Sequence, residues 1–133
     1  MRKLISIVTP CYNEQANIDE LYERIRSTME TLEYDYEHIL IDNSSTDDTV
    51  KSIKRIAAQD KRVKLIVNVR NFGHIRSPYY ALLQSRGDAC ILIASDLQDP
   101  PEMIPEFIKK WEEGFRTVLA VKPESKESPL MFF

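Results

Sequence analysis

Glycine is scarce in this chain, and its scarcity excludes two common kinds of nucleotide-binding site. Only three glycines occur among the 133 residues: Gly73, Gly87 and Gly114. A dinucleotide-binding fold needs a GxGxxG loop directly after its first strand, and a Walker phosphate loop depends equally on glycine. Neither loop can form before residue 73. Any nucleotide bound by this chain must therefore be held by side chains and a metal.

Cysteine, positive charge and long apolar runs are also lacking. The two cysteines, Cys11 and Cys90, show no CxxC or Cys/His spacing, which favours two small buried thiols in a reducing compartment over a disulfide or a metal site. A net charge of -3 and a pI near 5.4 argue against a partner that is duplex nucleic acid. No apolar run approaches the length of a membrane span, and the amino terminus has no signal-peptide core.

Short apolar runs alternate along the chain with segments of helical periodicity. With 43% hydrophobic and 29% charged residues, the composition is that of one globular domain. β-Branched or apolar runs predict five strands, at residues 4–8, 37–41, 63–69, 91–93 and 117–121. Because a helix is predicted between each pair of strands, right-handed crossovers should form a doubly wound, mainly parallel α/β sheet with helices on both faces.

Cap and breaker residues predict where the four helices begin and end. Asn17 is a plausible cap for the first helix, and Ser45 with Asp48 has the spacing of a capping box for the second. Ser77 and Pro78 are typical of the start of a helix, so we expect the third helix to begin there and to turn Tyr79, Leu82 and Leu83 inward. The fourth helix is predicted from about Pro101 to a cap at Gly114.

The sharpest change of character lies at residues 91–102, where a buried-type strand gives way to acids, an amide and two prolines. Asp96 and Gln98 are two residues apart and offer hard oxygen ligands, which suit Mg²⁺ or Mn²⁺. The alternative is that these groups only hydrogen-bond a tight turn, with Asp99 as a helix cap. Parallel strands bring their carboxyl ends to one sheet edge, so the polar groups after each strand should share one crevice. A receiver domain is excluded, because Thr9-Pro10 and Arg70-Asn71 stand where that fold needs acids.

Four segments, at residues 8–14, 41–47, 70–73 and 96–102, resemble in order and spacing the family 2 glycosyltransferases. The last segment looks most like the polyprenyl-phosphate sugar transferases, such as dolichol-phosphate mannose synthase. The resemblance implies a GT-A fold, a nucleotide-sugar donor, Mg²⁺ or Mn²⁺, and a lipid-phosphate or glycan acceptor with inversion at the sugar. It also implies that residues 1–121 form the donor-binding half of a GT-A domain.

Residues 122–133 would then lead into an acceptor half that this chain lacks, with the catalytic base beyond Phe133. The same resemblance places the full-length protein in the cytoplasm at the inner face of a membrane, with membrane contact only through that missing region. An apolar flank around Val118 and residues 130–133 leads us to expect self-association of this chain.

The resemblance also implies roles for individual residues. Asp42 would accept N–H bonds from the nucleotide base, and Arg70 would bind the base or the diphosphate. The metal ligands would be Asp96 and Gln98. The nucleotide-sugar-binding set is Pro10, Tyr12, Glu14, Asp42, Asn43, Arg70, Ser95 and Asp96.

Each of these roles has a plainer alternative. Asp42 could cap a helix, Tyr12 could pack in the core, and Arg70 could be a solvated surface charge. The two histidines, His38 and His74, have no partner pattern for catalysis.

Three positions depart from the pattern of the family. Asn43 stands where a second acid is usual, Ser44 where glycine is common, and Ala94 where an acid often precedes the metal ligand. Lost carboxylates would weaken the binding of a metal or ribose. Two hypotheses follow: a metal-dependent glycosyltransferase whose donor site lies in this chain, and a non-catalytic nucleotide-binding module whose site is truncated or decayed.

Overall fold

The computed structural model describes residues 2–121 as a four-stranded parallel sheet flanked by helices. The strands are β1 (Leu4–Cys11), β2 (Asp35–Asp42), β3 (Val63–Val67) and β4 (Ala89–Leu92), in the spatial order β3-β2-β1-β4. The helices are α1 (Ile18–Glu30), α2 (Thr49–Gln59), α3 (Gly73–Leu83) and α4 (Ile104–Glu112), and a 3₁₀ turn at Pro101–Met103 precedes α4. Among these residues, no helix combines the length and apolar character needed to cross a bilayer.

Helices cover both faces of the sheet, which confirms the doubly wound prediction. Alternation along β1 sends Ile5 and Ile7 to one face and Val8 to the other. The first face packs against α1, α2 and α4 through a core that includes Leu21, Ile25, Met29, Ile53, Ile56, Ile104 and Ile108. The opposite face is covered by α3, whose Ala81 contacts the cluster that contains Val8.

The strand register aligns the carboxyl ends of β1, β2 and β3 at one edge of the sheet. Cys11, the last residue of β1, pairs with Asp42, which in turn pairs with Val67 of β3. The chain moves outward from β1 to β3 and then crosses back to place β4 on the other side of β1. This reversal makes the gap between β1 and β4 the topological switch point, where open α/β sheets bind their ligands.

The predicted fifth strand is wrong. Residues 117–121 form no strand; Thr117–Ala120 instead line a groove together with side chains of α4 and Phe115. A β-branched composition specifies a strand only where a neighbouring strand and a buried face are available. Of the predicted apolar flank, Leu119 and Val121 are exposed and Val118 is partly buried, whereas residues 130–133 lie outside the described part of the chain.

The predicted start of α3 is also wrong, by one turn. The helix begins at Gly73, so Ser77 and Pro78 lie inside it and are buried. The Ser77 hydroxyl accepts a hydrogen bond from the Asn68 amide instead of capping the helix. With the start moved, Tyr79 and Leu83 turn to solvent, and only Leu82 of the predicted inward residues packs against the core.

Three smaller predictions have mixed outcomes. Ser45 does not form a capping box with Asp48, because its hydroxyl donates to Asp42. Asn17 stands at the N-cap position of α1 but makes no capping bond with its side chain. Cys11 is buried as predicted, whereas Cys90 is exposed because β4 forms the edge of the sheet.

A buried polar cluster lies on the α3 side of the sheet. Glu37 accepts hydrogen bonds from the Ser6 hydroxyl and the Arg86 backbone N–H and forms an ion pair with Lys64. Burial opposes ionisation of Glu37, but the bonds from Lys64, Ser6 and Arg86 outweigh it and lower the pKa of the carboxyl. The backbone N–H of Gly87 completes the cluster by donating to the Ser6 hydroxyl at 2.8 Å.

Candidate functional site

One side of the candidate site is formed by the loops after β1 and β2, which are hydrogen-bonded to each other. Asn13, in a left-handed conformation with φ of 51°, accepts a hydrogen bond from the Thr46 N–H at 2.8 Å through its side-chain oxygen. Its own backbone N–H donates to the Ser45 hydroxyl at 2.9 Å. The loop after β1 is thereby fixed to the loop after β2. Nothing in the sequence pattern assigned this role to Asn13.

The predicted binding residues of the first loop differ in accessibility. Tyr12 is 48% exposed, which excludes the alternative of core packing and leaves its ring free to meet a ligand. Pro10 is half-buried at the end of β1. Glu14 is also half-buried, and its carboxylate accepts a hydrogen bond from the Asn17 side chain at 2.9 Å.

Asp42 ends β2 as a buried carboxylate, only 1% exposed. One of its oxygens accepts the Ser45 backbone N–H at 3.0 Å and the other accepts the Ser45 hydroxyl at 2.5 Å. A carboxylate offers about four acceptor positions, so capacity remains for N–H groups of a ligand. Asp42 caps no helix, because α2 begins seven residues later.

Asn43 is the most heavily hydrogen-bonded side chain of the site. Its Nδ2 donates to the Asn71 side-chain oxygen at 2.9 Å and to the Gly73 carbonyl at 3.3 Å. Its Oδ1 accepts the Phe72 N–H at 2.8 Å and the Asn68 amide at 3.2 Å. The residue is 6% exposed and joins the end of β2 to the loop that carries Arg70.

Arg70 is exposed at the same edge. Its guanidinium lies over the Phe72 ring, 4.3 Å from the ring centroid. A stacked guanidinium loses less conformational freedom on binding an anion than a free one, and it can bind phosphate oxygens bidentately. Arg70 is therefore a surface charge, as in the alternative considered from the sequence, but its guanidinium is held against an aromatic ring.

The segment after β4 forms a turn that presents oxygen ligands. Leu97 has a φ of 63°, and the Asp96 carboxylate accepts the Gln98 backbone N–H at 3.2 Å. Asp96 and Gln98 are exposed, while Ser95 is buried beside Cys11 across the switch point. Burial, followed by the charges of Asp42 and Glu14, raises the pKa of the Cys11 thiol, which is therefore neutral at pH 7.

The side-chain oxygens of this turn suit a divalent metal that is also coordinated by a bound ligand. Within residues 2–121, no group of three or more His, Cys, Asp or Glu side chains could hold an ion by itself. Mg²⁺ typically takes one or two protein oxygens and completes its shell with water and substrate phosphates. Asp96 and Gln98 offer that minimal set. Glu102, from the same motif, instead forms a two-oxygen ion pair with Arg24 of α1 and anchors the start of α4.

His38 lies inside β2, four positions before Asp42 at the end of the strand. It is fully buried in β2, and its Nε2 lies 2.9 Å from the Thr9 hydroxyl, next to Pro10. Its Nδ1 has no hydrogen-bond partner. Burial lowers the pKa of His38 to about 4, so the ring is neutral at pH 7. Its position within the predicted strand at residues 37–41 was the sequence feature that could have indicated its burial.

The four-stranded parallel sheet, with its switch point between β1 and β4, has the GT-A fold of nucleotide-sugar-dependent glycosyltransferases. Solved structures agree. A mannosyltransferase from Pyrobaculum calidifontis, in complex with GDP-Man and Mn²⁺, superposes with a TM-score of 0.69 at 22% identity, over 84% of this chain and 32% of that one. Glucosyl-3-phosphoglycerate synthase from Mycobacterium tuberculosis, in complex with Mn²⁺ and UDP, gives 0.63 at 28% identity, over 82% and 39%.

Residues 6–130 match the family described as glycosyl transferase family 2, and this chain belongs to that family. The glycosyltransferase YkcC of Bacillus subtilis (strain 168) is 39% identical over 91% of this chain and 38% of its own length. An undecaprenyl-phosphate 4-deoxy-4-formamido-L-arabinose transferase of Shewanella sediminis (strain HAW-EB3) is 37% identical over 95% and 38%. The chain thus spans less than two-fifths of the length of these relatives.

Proposed function

We propose that this chain carries the nucleotide-sugar site of a metal-dependent glycosyltransferase. The observation that carries the proposal is the placement of Asp42 at the end of β2, and of Arg70 and Asp96 in the loops that follow β3 and β4, at the carboxyl edge of the sheet in a chain that belongs to family 2. Neighbours with the same fold bind GDP-Man or UDP with Mn²⁺. Family membership favours the transferase over the non-catalytic module.

The proposed roles follow from the environment of each side chain. Asp42 accepts N–H groups of the base, because a buried carboxylate with a fixed orientation discriminates hydrogen-bond donors. Tyr12 covers the base or ribose with its exposed ring, and Pro10 and Glu14 shape the same loop. Arg70 binds the diphosphate. Ser95 lines the switch point behind Asp96.

Asp96 and Gln98 would hold Mg²⁺ or Mn²⁺, which neutralises the negative charge of the departing diphosphate when it is bound. The residues of this chain bind and orient the donor, so that its anomeric carbon faces the acceptor. Transfer then forms a bond from the acceptor oxygen to that carbon while the bond to the diphosphate breaks. We assign the acceptor side and the catalytic base to sequence outside residues 1–121.

The lipid-phosphate acceptor is proposed from one kind of relative. Several matched proteins are named as undecaprenyl-phosphate sugar transferases, at 35–37% identity. A polyprenyl phosphate is embedded in a membrane, so we propose that the whole protein works at the inner face of a membrane. We also propose that the isolated chain self-associates through the apolar flank around Val118 and residues 130–133.

Nucleotide binding should require a divalent metal. Calorimetric titration of UDP and GDP, each with Mn²⁺ and then with EDTA, should show at least one nucleotide binding about tenfold or more weakly without metal. Asp96→Asn should reduce the metal-dependent part of that affinity, because it removes the charged ligand. Glu106→Gln, which neutralises an exposed acid on α4, serves as the control and should bind normally. Equal affinity with and without EDTA would remove the metal from the proposal.

The Asp42 carboxylate should supply a charged hydrogen bond to the base. Asp42→Asn keeps the size of the side chain but turns half of it into a donor, so affinity for the preferred nucleotide should fall about tenfold to a hundredfold. Asp35→Asn makes the same change at an exposed acid at the amino end of β2 and should leave the affinity unchanged. Normal binding by Asp42→Asn, with the thermal transition unchanged, would contradict the assigned role.

A further inference from the structure

We infer that Asn43 is a positioning residue: its amide fixes the loop of residues 70–73 and thereby sets the affinity for the donor diphosphate through Arg70. The inference rests on the proposed function for its last step, from Arg70 to the diphosphate. It replaces a direct contact between Asn43 and the donor, and it explains why an amide stands where family 2 usually has an acid.

The hydrogen-bonding capacity of Asn43 is spent within the protein. Both sides of its amide are engaged, Nδ2 with Asn71 and Gly73 and Oδ1 with Phe72 and Asn68, over distances of 2.8–3.3 Å. An amide can donate two and accept two hydrogen bonds, and Asn43 does both. A side chain that is 6% exposed and fully paired has no donor left to offer to a ligand.

An aspartate could not replace this amide. The carboxylate would keep the bonds from Phe72 and Asn68, but its second oxygen would face the Asn71 oxygen and the Gly73 carbonyl, which are both acceptors. Rotating the Asn71 amide would relieve one repulsion, but the Asn71 oxygen also accepts the Gly73 N–H at 2.8 Å. That N–H would then lose its partner. The loop is built for a donor at position 43.

The connection to Arg70 runs through Phe72. Asn43 holds the backbone N–H of Phe72, and the Phe72 ring supports the Arg70 guanidinium. Asn68 extends the same network into α3 by donating to the Ser77 hydroxyl at 2.9 Å. The loop therefore has fixed points on β2 and α3, and Arg70 is held at the edge of the sheet by stacking on this anchored ring.

The test compares Asn43→Asp, Arg70→Gln and the double variant by calorimetry with UDP and GDP in the presence of Mn²⁺. Asn43→Asp should bind the preferred nucleotide about tenfold more weakly. The double variant should bind no more weakly than Arg70→Gln alone, because both changes remove the same interaction. Met29→Ala, a core truncation at the opposite edge of the sheet, should lower stability and leave the affinity of the folded protein unchanged.

Three results would overturn the inference. If Asn43→Asp binds as tightly as the wild type or more tightly, the amide is not needed to position the loop. If the losses of affinity in the two single variants add in the double variant, Asn43 does not act through Arg70.

If the wild type binds neither nucleotide, the proposed function fails. Amide hydrogen exchange of Phe72 and Gly73 then tests whether Asn43 fixes the loop. Faster exchange in Asn43→Ala supports the inference, and unchanged exchange refutes it.

Discussion

Replacing Gly87 by alanine is expected to destabilise the protein by about 3 kcal/mol, which lowers the thermal midpoint by about 10 °C or more. A Cβ atom at this position would lie 2.5 Å from the Ser6 hydroxyl oxygen, 2.6 Å from the Ser6 backbone nitrogen and 2.8 Å from the Ala89 carbonyl oxygen. Two of these three atoms belong to the backbone of paired strands, so they cannot move aside without disturbing the pairing of β1 with β4.

Gly114→Ala is the matched control for this prediction. Gly114 has a φ of +106°, and nothing lies within 4 Å of the added Cβ, so its replacement costs only conformational strain of about 1–2 kcal/mol. Thermal and urea unfolding measure both variants. Equal stabilities for Gly87→Ala and Gly114→Ala would show that the close contacts of an added Cβ at position 87 do not destabilise the protein.

The second large effect concerns the pH dependence of stability through His38. The pKa of this buried ring is lowered to about 4 in the folded protein, against about 6.5 in the unfolded chain. Between these values the unfolded chain takes up a proton that the folded protein excludes. Stability is therefore fully present above about pH 6.5 and falls as the pH drops toward 4. At about 1.4 kcal/mol per pH unit, the loss from His38 is about 3 kcal/mol.

Urea unfolding of the wild type and of His38→Gln at several pH values measures this contribution. Glutamine can still bond the Thr9 hydroxyl but does not titrate, so the difference between the two curves should change by about 3 kcal/mol between pH 6.5 and 4. Subtracting the curves removes the carboxylates, including Glu37, whose lowered pKa adds stability that is lost on further acidification. Parallel curves for the wild type and His38→Gln would contradict the prediction.

Most of the fold could be predicted from the sequence because its signals are local. The strands β1, β2 and β4 overlap the short apolar runs that predicted them, and the periodicity of α1 and α2 is strong enough to place both helices. Right-handed crossovers then require a parallel sheet with helices on both faces, and the structure has that sheet.

The wrong predictions concern residues whose local sequence signal was outweighed by contacts with residues distant in the sequence. Ser77 carries the signal of a helix cap but bonds Asn68 from inside α3, and Ser45 bonds Asp42 and Asn13 instead of the start of α2. Residues 117–121 are rich in residues that favour strands, but they do not pair with the sheet. Local propensities of about 1 kcal/mol are easily outweighed by such partners.

The sequence by itself determined the α/β class, the shared edge of strand ends and the absence of a glycine-based phosphate loop, because each depends on periodicity or on residue type alone. Only the tertiary structure decided which partners the polar residues contact. Asn43, considered from the sequence as a missing acid, hydrogen-bonds Asn71 and Phe72, and His38 is a buried neutral ring beside Thr9. The physical reason is that hydrogen-bond partners 25–30 positions away are chosen by the register of the sheet, which no local pattern encodes.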